Sequence, residues 1–547
     1  MKVNRRIALG SAGAALLLGP DVWAEGEGPV IDTPAGRLRG REAPGLLVFK
    51  GVRYARPPTG PLRWRPPQPL PRWPGVADAG AFGPAALQPR SGPGNIYADD
   101  LGEMSEDCLT LNIWTPKGAS KAPVMVWIHG GALVTGSSRE AIYDGAALAA
   151  RGVVVVTINY RLGVLGYLAH PGLSAESPVG ISGNYGLLDQ IAALAWVRDN
   201  IAAFGGDPAR VTVAGQSAGG LSILYLMASP IARGLFSQAI AESSYMISCP
   251  DLKHQAFGMI SGEAAGLLTQ EALQAPNLAA LRAMEGPALI RATAAVGFAP
   301  FGVVDGKVLP SQVLDIFERG EQAPVPVMAG FTSGEIRSLT MLAPRAPSSP
   351  EAYEKAIAER YGDLTGAFLK LYPSADMAQS ILKTTRDALY GWTAEKLART
   401  QTSKGAGAYL YLFDHGYPDA DAAGLHAFHA SEIPYVFGDF DKTPPHWPRP
   451  PATAPEERFS QAMGDYWASF VATGAPRAKG EADWPAFGTA GAYMDFAETP
   501  RPATDLMPGM FELQDAVVHQ RRRNGQAWNW NVGLNAPRLK STPKIQP

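Results

Sequence analysis

Val211-Thr-Val-Ala-Gly-Gln-Ser217-Ala-Gly-Gly220, continued by Leu221-Ser-Ile-Leu-Tyr-Leu-Met227, is an apolar strand that runs through Gly-x-Ser-x-Gly into a helix-forming stretch. This pattern holds a serine at the tip of a sharp strand-to-helix turn, a nucleophile elbow. Side chains two positions before and after the serine would collide in such a turn, and Gly215 and Gly219 occupy those places. The turn lifts the Ser217 hydroxyl to a helix N-terminus, where unpaired backbone N–H groups favour negative charge. In a chain with 60 glycines the bare motif arises easily by chance. The strand before it and the helix after it give it weight.

Outward from the elbow, strand-like and helix-like runs alternate. Val124-Met-Val-Trp-Ile128 and Val153-Val-Val-Val-Thr-Ile158 are short, apolar and rich in branched residues, as buried strands are. Residues 184–204 carry Leu187, Leu188, Ile191, Leu194 and Ala195 at helical spacing, and Gly205-Gly206 stops the helix. Gln238–Ala241, Val325–Ala329 and Tyr409–Phe413 are further strand candidates. Strands alternating with helices predict an α/β fold with a large, mostly parallel central sheet covered on both faces. Ligands bind such sheets at the carboxyl ends of the strands. The helix-leaning stretch near 338–402 interrupts the alternation and reads as a cap-like insertion, so residues 25–547 are expected to form a single domain.

Composition sets outer bounds. Of the 547 residues, 46% are hydrophobic and 18% charged, which predicts a large core and excludes wholesale disorder. A net charge of −2 lacks the basic footprint of a nucleic-acid partner. Residues 1–24 read as an export signal: Lys2, Arg5 and Arg6, a short apolar run, then Val22-Trp23-Ala24 as a cleavage site. Asn4-Arg5-Arg6-Ile7-Ala8-Leu9 also fits a twin-arginine signal. The expectation is a periplasmic or secreted protein with no membrane span in the mature chain, because the apolar run falls short of about 18–20 residues. The two cysteines, Cys108 and Cys249, are expected as buried free thiols. No Cys/His cluster has metal-ligand spacing, so neither metal nor other cofactor is expected. The tail with Trp528 and Trp530 reads as a solvated end packed on the surface. The sequence sets no oligomeric state.

A serine hydroxyl is a poor nucleophile until a base takes its proton and an acid orients that base. In a fold of this kind the three follow in the order serine, acid, histidine. His429, in Phe428-His-Ala-Ser-Glu-Ile-Pro-Tyr-Val-Phe-Gly438, lies just beyond the strand at Tyr409, with His426 its nearest competitor. Glu335 follows Val327-Met-Ala-Gly-Phe-Thr-Ser-Gly334, just past a strand end; Asp305 and Asp414 are alternatives. Ile128-His-Gly-Gly-Ala132 follows another strand and exposes backbone N–H groups. Gly131, Ala132 and Ala218 would then donate to a tetrahedral oxyanion.

Other segments carry a family likeness. They are Phe49-Lys-Gly-Val-Arg-Tyr-Ala-Arg-Pro-Pro-Thr-Gly-Pro-Leu-Arg-Trp64, Ser105-Glu-Asp-Cys-Leu-Thr-Leu-Asn-Ile-Trp114, Asn159-Tyr-Arg161, Gly183-Asn-Tyr-Gly-Leu-Leu-Asp189 and Phe204-Gly-Gly-Asp-Pro208. Together with Gly215-Gln-Ser-Ala-Gly-Gly220, and in this order, they make the chain resemble the type-B carboxylesterases, the cholinesterase-like branch of the α/β-hydrolases. That resemblance implies a serine hydrolase that cleaves small-molecule carboxylic esters, with Ser217 as nucleophile, Glu335 as acid and His429 as base. It carries Gly131, Ala132 and Ala218 over as the oxyanion donors. An amidase, thioesterase or lipase would use the same triad. A non-catalytic binding protein of this fold would be expected to lack the serine, which is present here.

The chain departs from the family pattern in three places. Ala86 stands where the family often has a cysteine paired with the one matching Cys108; over a loop of about 22 residues that bridge would contribute roughly 3 kcal/mol. Ala98 stands where cholinesterases carry a tryptophan that stacks on the choline cation, so a choline ester is disfavoured. Gln216 replaces the more usual glutamate before the serine, which removes a charge near the site. Leu133 is expected among the pocket walls.

Overall fold

The computed structural model describes residues 28–92, 94–528 and 532–539. The export-signal reading of residues 1–24 and the side chain of Trp530 lie outside the described residues. The sheet that carries the site contains, in chain order, β1 Arg41–Ala43, β2 Leu46–Arg53, β3 Thr110–Pro116, β4 Ala122–Ile128, β5 Val154–Ile158 and β6 Gly206–Gln216. It continues with β7 Gln238–Glu242, β8 Val327–Thr332, β9 Ala408–Phe413, β10 Ala492–Phe496 and β11 Pro500–Thr504. Among the described residues it is 11-stranded, in the order β11-β10-β9-β8-β7-β6-β4-β5-β3-β2-β1. From β5 to β10 neighbouring strands are parallel, while β1–β3 and β11 pair antiparallel at the two edges.

Residues of β4 show why both faces are covered. Val124, Val126 and Ile128 point to one face, Met125 and Trp127 to the other, and all five are wholly buried. The first set joins an apolar cluster with helices α1 Tyr185–Asn200, α2 Ala218–Ala228 and α5 Trp392–Ser403. The second packs with α6 Ala454–Thr473 through Phe459, Met463, Trp467 and Phe470. Each such side chain taken fully from water contributes about 1.5–3 kcal/mol. Helix α1 begins one residue after Asn184, as its spacing predicts. A tighter turn over Ile201–Phe204 follows it, and Gly205 ends that turn in a left-handed conformation.

The family segments brace this scaffold. Arg63 forms an ion pair with Glu106, and Arg161 holds Asp189 through two hydrogen bonds of 2.7 Å deep in the interior. Asn184 grips the backbone of Val303 and the carboxylate of Asp305.

The stretch 338–402 is helical, with α3 Pro350–Tyr361 and α4 Met377–Arg386 leading through a π-turn, Asp387–Gly391, into α5. Its parts differ in role. Leu339, Leu342 and Tyr390 line the cavity at the strand ends, whereas α5 lies against the sheet as an ordinary core helix. Trp528, expected at a solvated end, is instead buried, with its ring edge-on to Phe257 at 5.0 Å. Among the described residues no helix is long and apolar enough to cross a membrane.

Candidate active site

Ser217 directly follows β6 and caps α2 with φ of +58°, a strained conformation for a residue with a side chain. Its N–H donates to the Glu242 carbonyl at 2.9 Å, tying the turn to β7. A Cβ at Gly219 would lie 2.0 Å from the Ile128 carbonyl oxygen, and one at Gly215 would meet the Gly219 backbone at 2.7 Å. The two glycines flanking the elbow are therefore steric requirements.

Glu335 heads a 3-10 turn directly after β8 and is completely buried. One carboxylate oxygen accepts the Thr332 N–H at 3.0 Å and the other accepts from His429 Nδ1 in a short contact. His429 arrives from the loop beyond β9. The Tyr97 hydroxyl donates to its carbonyl at 2.9 Å, and the Tyr390 ring lies 5.4 Å from the imidazole. With Nδ1–H given to Glu335, Nε2 faces the cavity as an acceptor. It lies 3.3 Å from Gln216 Nε2, and among the described residues the Ser217 hydroxyl has no hydrogen-bond partner. Catalytic hydrogen bonds are often unformed until substrate binds. Ser217 and His429 face the same cavity of about 580 Å3.

The competitors are occupied elsewhere. His426 bonds Asp421 at 2.9 Å and Asp414 at 3.2 Å on a loop, which raises its affinity for a proton and keeps it out of the cavity. Asp305 caps a turn by accepting the N–H groups of Lys307, Val308 and Leu309.

Gly131 and Ala132 follow β4 with φ of +105° and +56°. A Cβ at 131 would come within 2.2 Å of the Thr135 carbonyl. Among the described residues the N–H groups of Gly131, Ala132 and Ala218 donate to no protein acceptor. Beneath this loop His129 stacks on Tyr160, with ring centroids 4.6 Å apart, and bonds the Gly130 carbonyl at 2.9 Å. Burial pushes its pKa down to about 4, so it is neutral and structural.

Several features had no legible signal. Leu133, expected in the pocket wall, is buried and absent from the cavity lining; its left-handed backbone turns it into the core. The walls come from Tyr97, Leu339, Leu342, Tyr390, Ile433 and Trp447. Behind the elbow lie two buried acids. Trp467 donates to Glu242 at 2.7 Å, and burial pushes that carboxyl up to about 8. Burial likewise pushes Glu432 upward, so protonated forms are favoured behind the site. Cys108 and Cys249 are buried free thiols, and Ala86 is buried at the place where the resemblance implies a cysteine partner for Cys108.

The serine turn, the buried acid–imidazole pair and the unpaired N–H groups meet at the carboxyl ends of β4, β6, β8 and β9, around one cavity. The sequence profile of the carboxylesterase family matches residues 27–512. The chain belongs to the carboxylesterase family. It is 36% identical to the fumonisin B1 esterase of Sphingopyxis macrogoltabida, over 85% of this chain and 86% of that one. It is also 36% identical to the para-nitrobenzyl esterase of Bacillus subtilis, over 84% and 92%. A solved carboxylesterase from Geobacillus stearothermophilus superposes with a TM-score of 0.76 at 32% identity, covering 89% of this chain and 99% of that one. The fold is thus that of the α/β-hydrolases, and this carboxylesterase is a serine hydrolase of carboxylic esters.

Proposed function

We propose that ester cleavage in this carboxylesterase runs through Ser217, His429 and Glu335. Ser217 Oγ attacks the ester carbonyl carbon while its proton passes to His429 Nε2. Glu335 keeps the Nδ1–H tautomer in place and offsets the charge of the imidazolium. The N–H groups of Gly131, Ala132 and Ala218 receive the oxyanion. His429 then gives its proton to the departing alcohol, and water cleaves the acyl-enzyme by the same steps in reverse order.

The observation that carries this reading is the buried Glu335–His429 pair, aimed into the cavity that also receives the strained serine. Ala98 on the cavity wall supplies no ring for a quaternary ammonium, while Tyr97, Tyr390 and Trp447 offer apolar surface. Uncharged aryl and alkyl esters of moderate size are therefore the proposed substrates, in keeping with the para-nitrobenzyl esterase relative. On the basic, then apolar, start of the chain we further propose export from the cytoplasm. Ser217→Ala is expected to lower kcat by about 10⁴–10⁶ with Tm retained, and to abolish labelling by an organophosphate. Near-normal turnover in that variant would remove Ser217 from the mechanism.

A further inference from the structure

The contact between Gln216 and His429 has a consequence for the base. Gln216 is buried, and its Nε2 lies 3.3 Å from His429 Nε2. The orientation is fixed by chemistry. Because Nδ1–H is committed to Glu335, Nε2 carries a lone pair; an amide oxygen turned toward it would set two acceptors face to face, whereas the amide N–H donates. Gln216 thus occupies the lone pair that the serine proton needs, while the Ser217 hydroxyl stands unpartnered beside it.

We propose that Gln216 is a positioning residue for the base: its side-chain amide holds the His429 imidazole by donating to Nε2, and yields that nitrogen to the Ser217 hydroxyl when acylation begins. This rests on the reading of His429 as base. Two effects follow. The ring is held by both nitrogens, by Glu335 at Nδ1 and Gln216 at Nε2, so its orientation and tautomer are defined. The holding group is also uncharged, so unlike a carboxylate it gives the imidazolium no ionic partner on the cavity side.

The surroundings leave this position sensitive. Glu335 faces the ring from the turn after β8, with Arg386 behind it bonding the Ser333 carbonyl at 3.0 Å. Tyr390 faces it from the π-turn, Tyr245 lines the same cavity from the loop after β7, and Tyr97 bonds its carbonyl. Glu432 on its own loop and Glu242 at the end of β7 are buried and favour their protonated forms. Among these groups no carboxylate other than Glu335 contacts the imidazole.

The test is the pH profile of kcat/KM on a para-nitrophenyl ester for the wild type, Gln216→Glu and Gln216→Met. A carboxylate within about 4 Å of an imidazolium favours its charged form by about 1–3 pH units. Gln216→Glu should therefore move the acid limb upward by at least about one unit. One unit below the wild-type midpoint, activity relative to the variant's own alkaline plateau then falls about tenfold. Gln216→Met removes a bond made to the neutral ring and should move the limb in the same direction by less. An acid limb of Gln216→Glu that overlays the wild type, or a lowered plateau with an unmoved limb in both variants, overturns the proposal and makes Gln216 a packing residue.

The same titration can be followed without turnover, by the ¹⁵N shifts of labelled histidine in Ser217→Ala with and without each Gln216 change. A shifted ring titration there, joined to a wild type without esterase activity, would sink the mechanism above and leave the contact standing. An unshifted ring titration would sink the contact alone.

Discussion

Glu335→Gln keeps the shape of the side chain and replaces one acceptor with a donor. Two groups need acceptors at this position: the Thr332 N–H at 3.0 Å and the His429 Nδ1–H. A backbone amide cannot shed its proton, but an imidazole can move its proton to the other nitrogen. The glutamine oxygen therefore stays on Thr332, its NH₂ faces Nδ1, and His429 takes the Nε2–H form. If the Gln216 amide turns so that its oxygen accepts the new Nε2–H, every buried polar group remains paired, so stability should barely change and Tm should stay within a few degrees. Catalysis suffers instead, because Nε2 has lost the lone pair that receives the serine proton and the imidazolium has lost its counter-charge. A wrong tautomer of this kind costs about 10⁴ in rate. At about 1.36 kcal/mol per decade that is roughly 5 kcal/mol of transition-state stabilisation. The assay is kcat/KM on a para-nitrophenyl ester above pH 8, with Tm measured alongside. Activity within tenfold of wild type would refute the proposed role of Glu335. Loss of Tm in parallel with activity would show that the pairing argument above is wrong.

Three further outcomes are expected. Gly219→Ala places a Cβ 2.0 Å from the Ile128 carbonyl oxygen, so the elbow must spread and stability should fall by about 3 kcal/mol or more; an unchanged denaturant midpoint contradicts this. His129 has its pKa lowered by burial to about 4, so between about pH 4 and 6.5 the unfolded chain binds a proton that the folded chain refuses. Wild-type stability relative to His129→Phe should therefore fall by about 3 kcal/mol as pH drops through that window, and parallel stability curves would count against it. Because Cys108 and Cys249 are buried free thiols, reductant should leave Tm unchanged and thiol reagents should label only the unfolded chain; a Tm drop with reductant would reveal a bridge.

How much the sequence discloses depends on how local the cause is. The elbow is legible because its steric demand lies within five residues, from Gly215 to Gly219. Helix α1 and strands β4 and β5 announce themselves by their own periodicity. The edge strands β1–β3 and β10–β11 are harder, because their antiparallel partners and not their composition hold them in the sheet. Glu335 and His429 stand out for their place after strands, and the structure brings their side chains together. Their choice over Asp305, Asp414 and His426 needed either the family likeness or the coordinates. The Gln216 contact joins residues 213 positions apart and has no sequence signal beyond an unusual residue before the serine. Leu133 and Trp528 depart from their expected places for a related reason: a left-handed backbone buries one and packing on Phe257 the other, and neither cause is visible in composition.

The separation between the strand ends and the cavity walls has a consequence for how such a protein can change. Ser217, Glu335 and the glycine turn after β4 follow closely on the ends of rigid parallel strands, whereas Tyr97 sits on the connection from β2 to β3, which bears none of the proposed proton-relay groups, and Leu339, Leu342 and Trp447 sit further out along the connections that carry Glu335 and His429. The wall positions can be substituted on those connections while Glu335 and His429 keep their places near the strand ends. A chain built this way can acquire a taste for a new ester by altering its rim alone, and grafting one rim segment between relatives should transfer preference while leaving the chemistry intact.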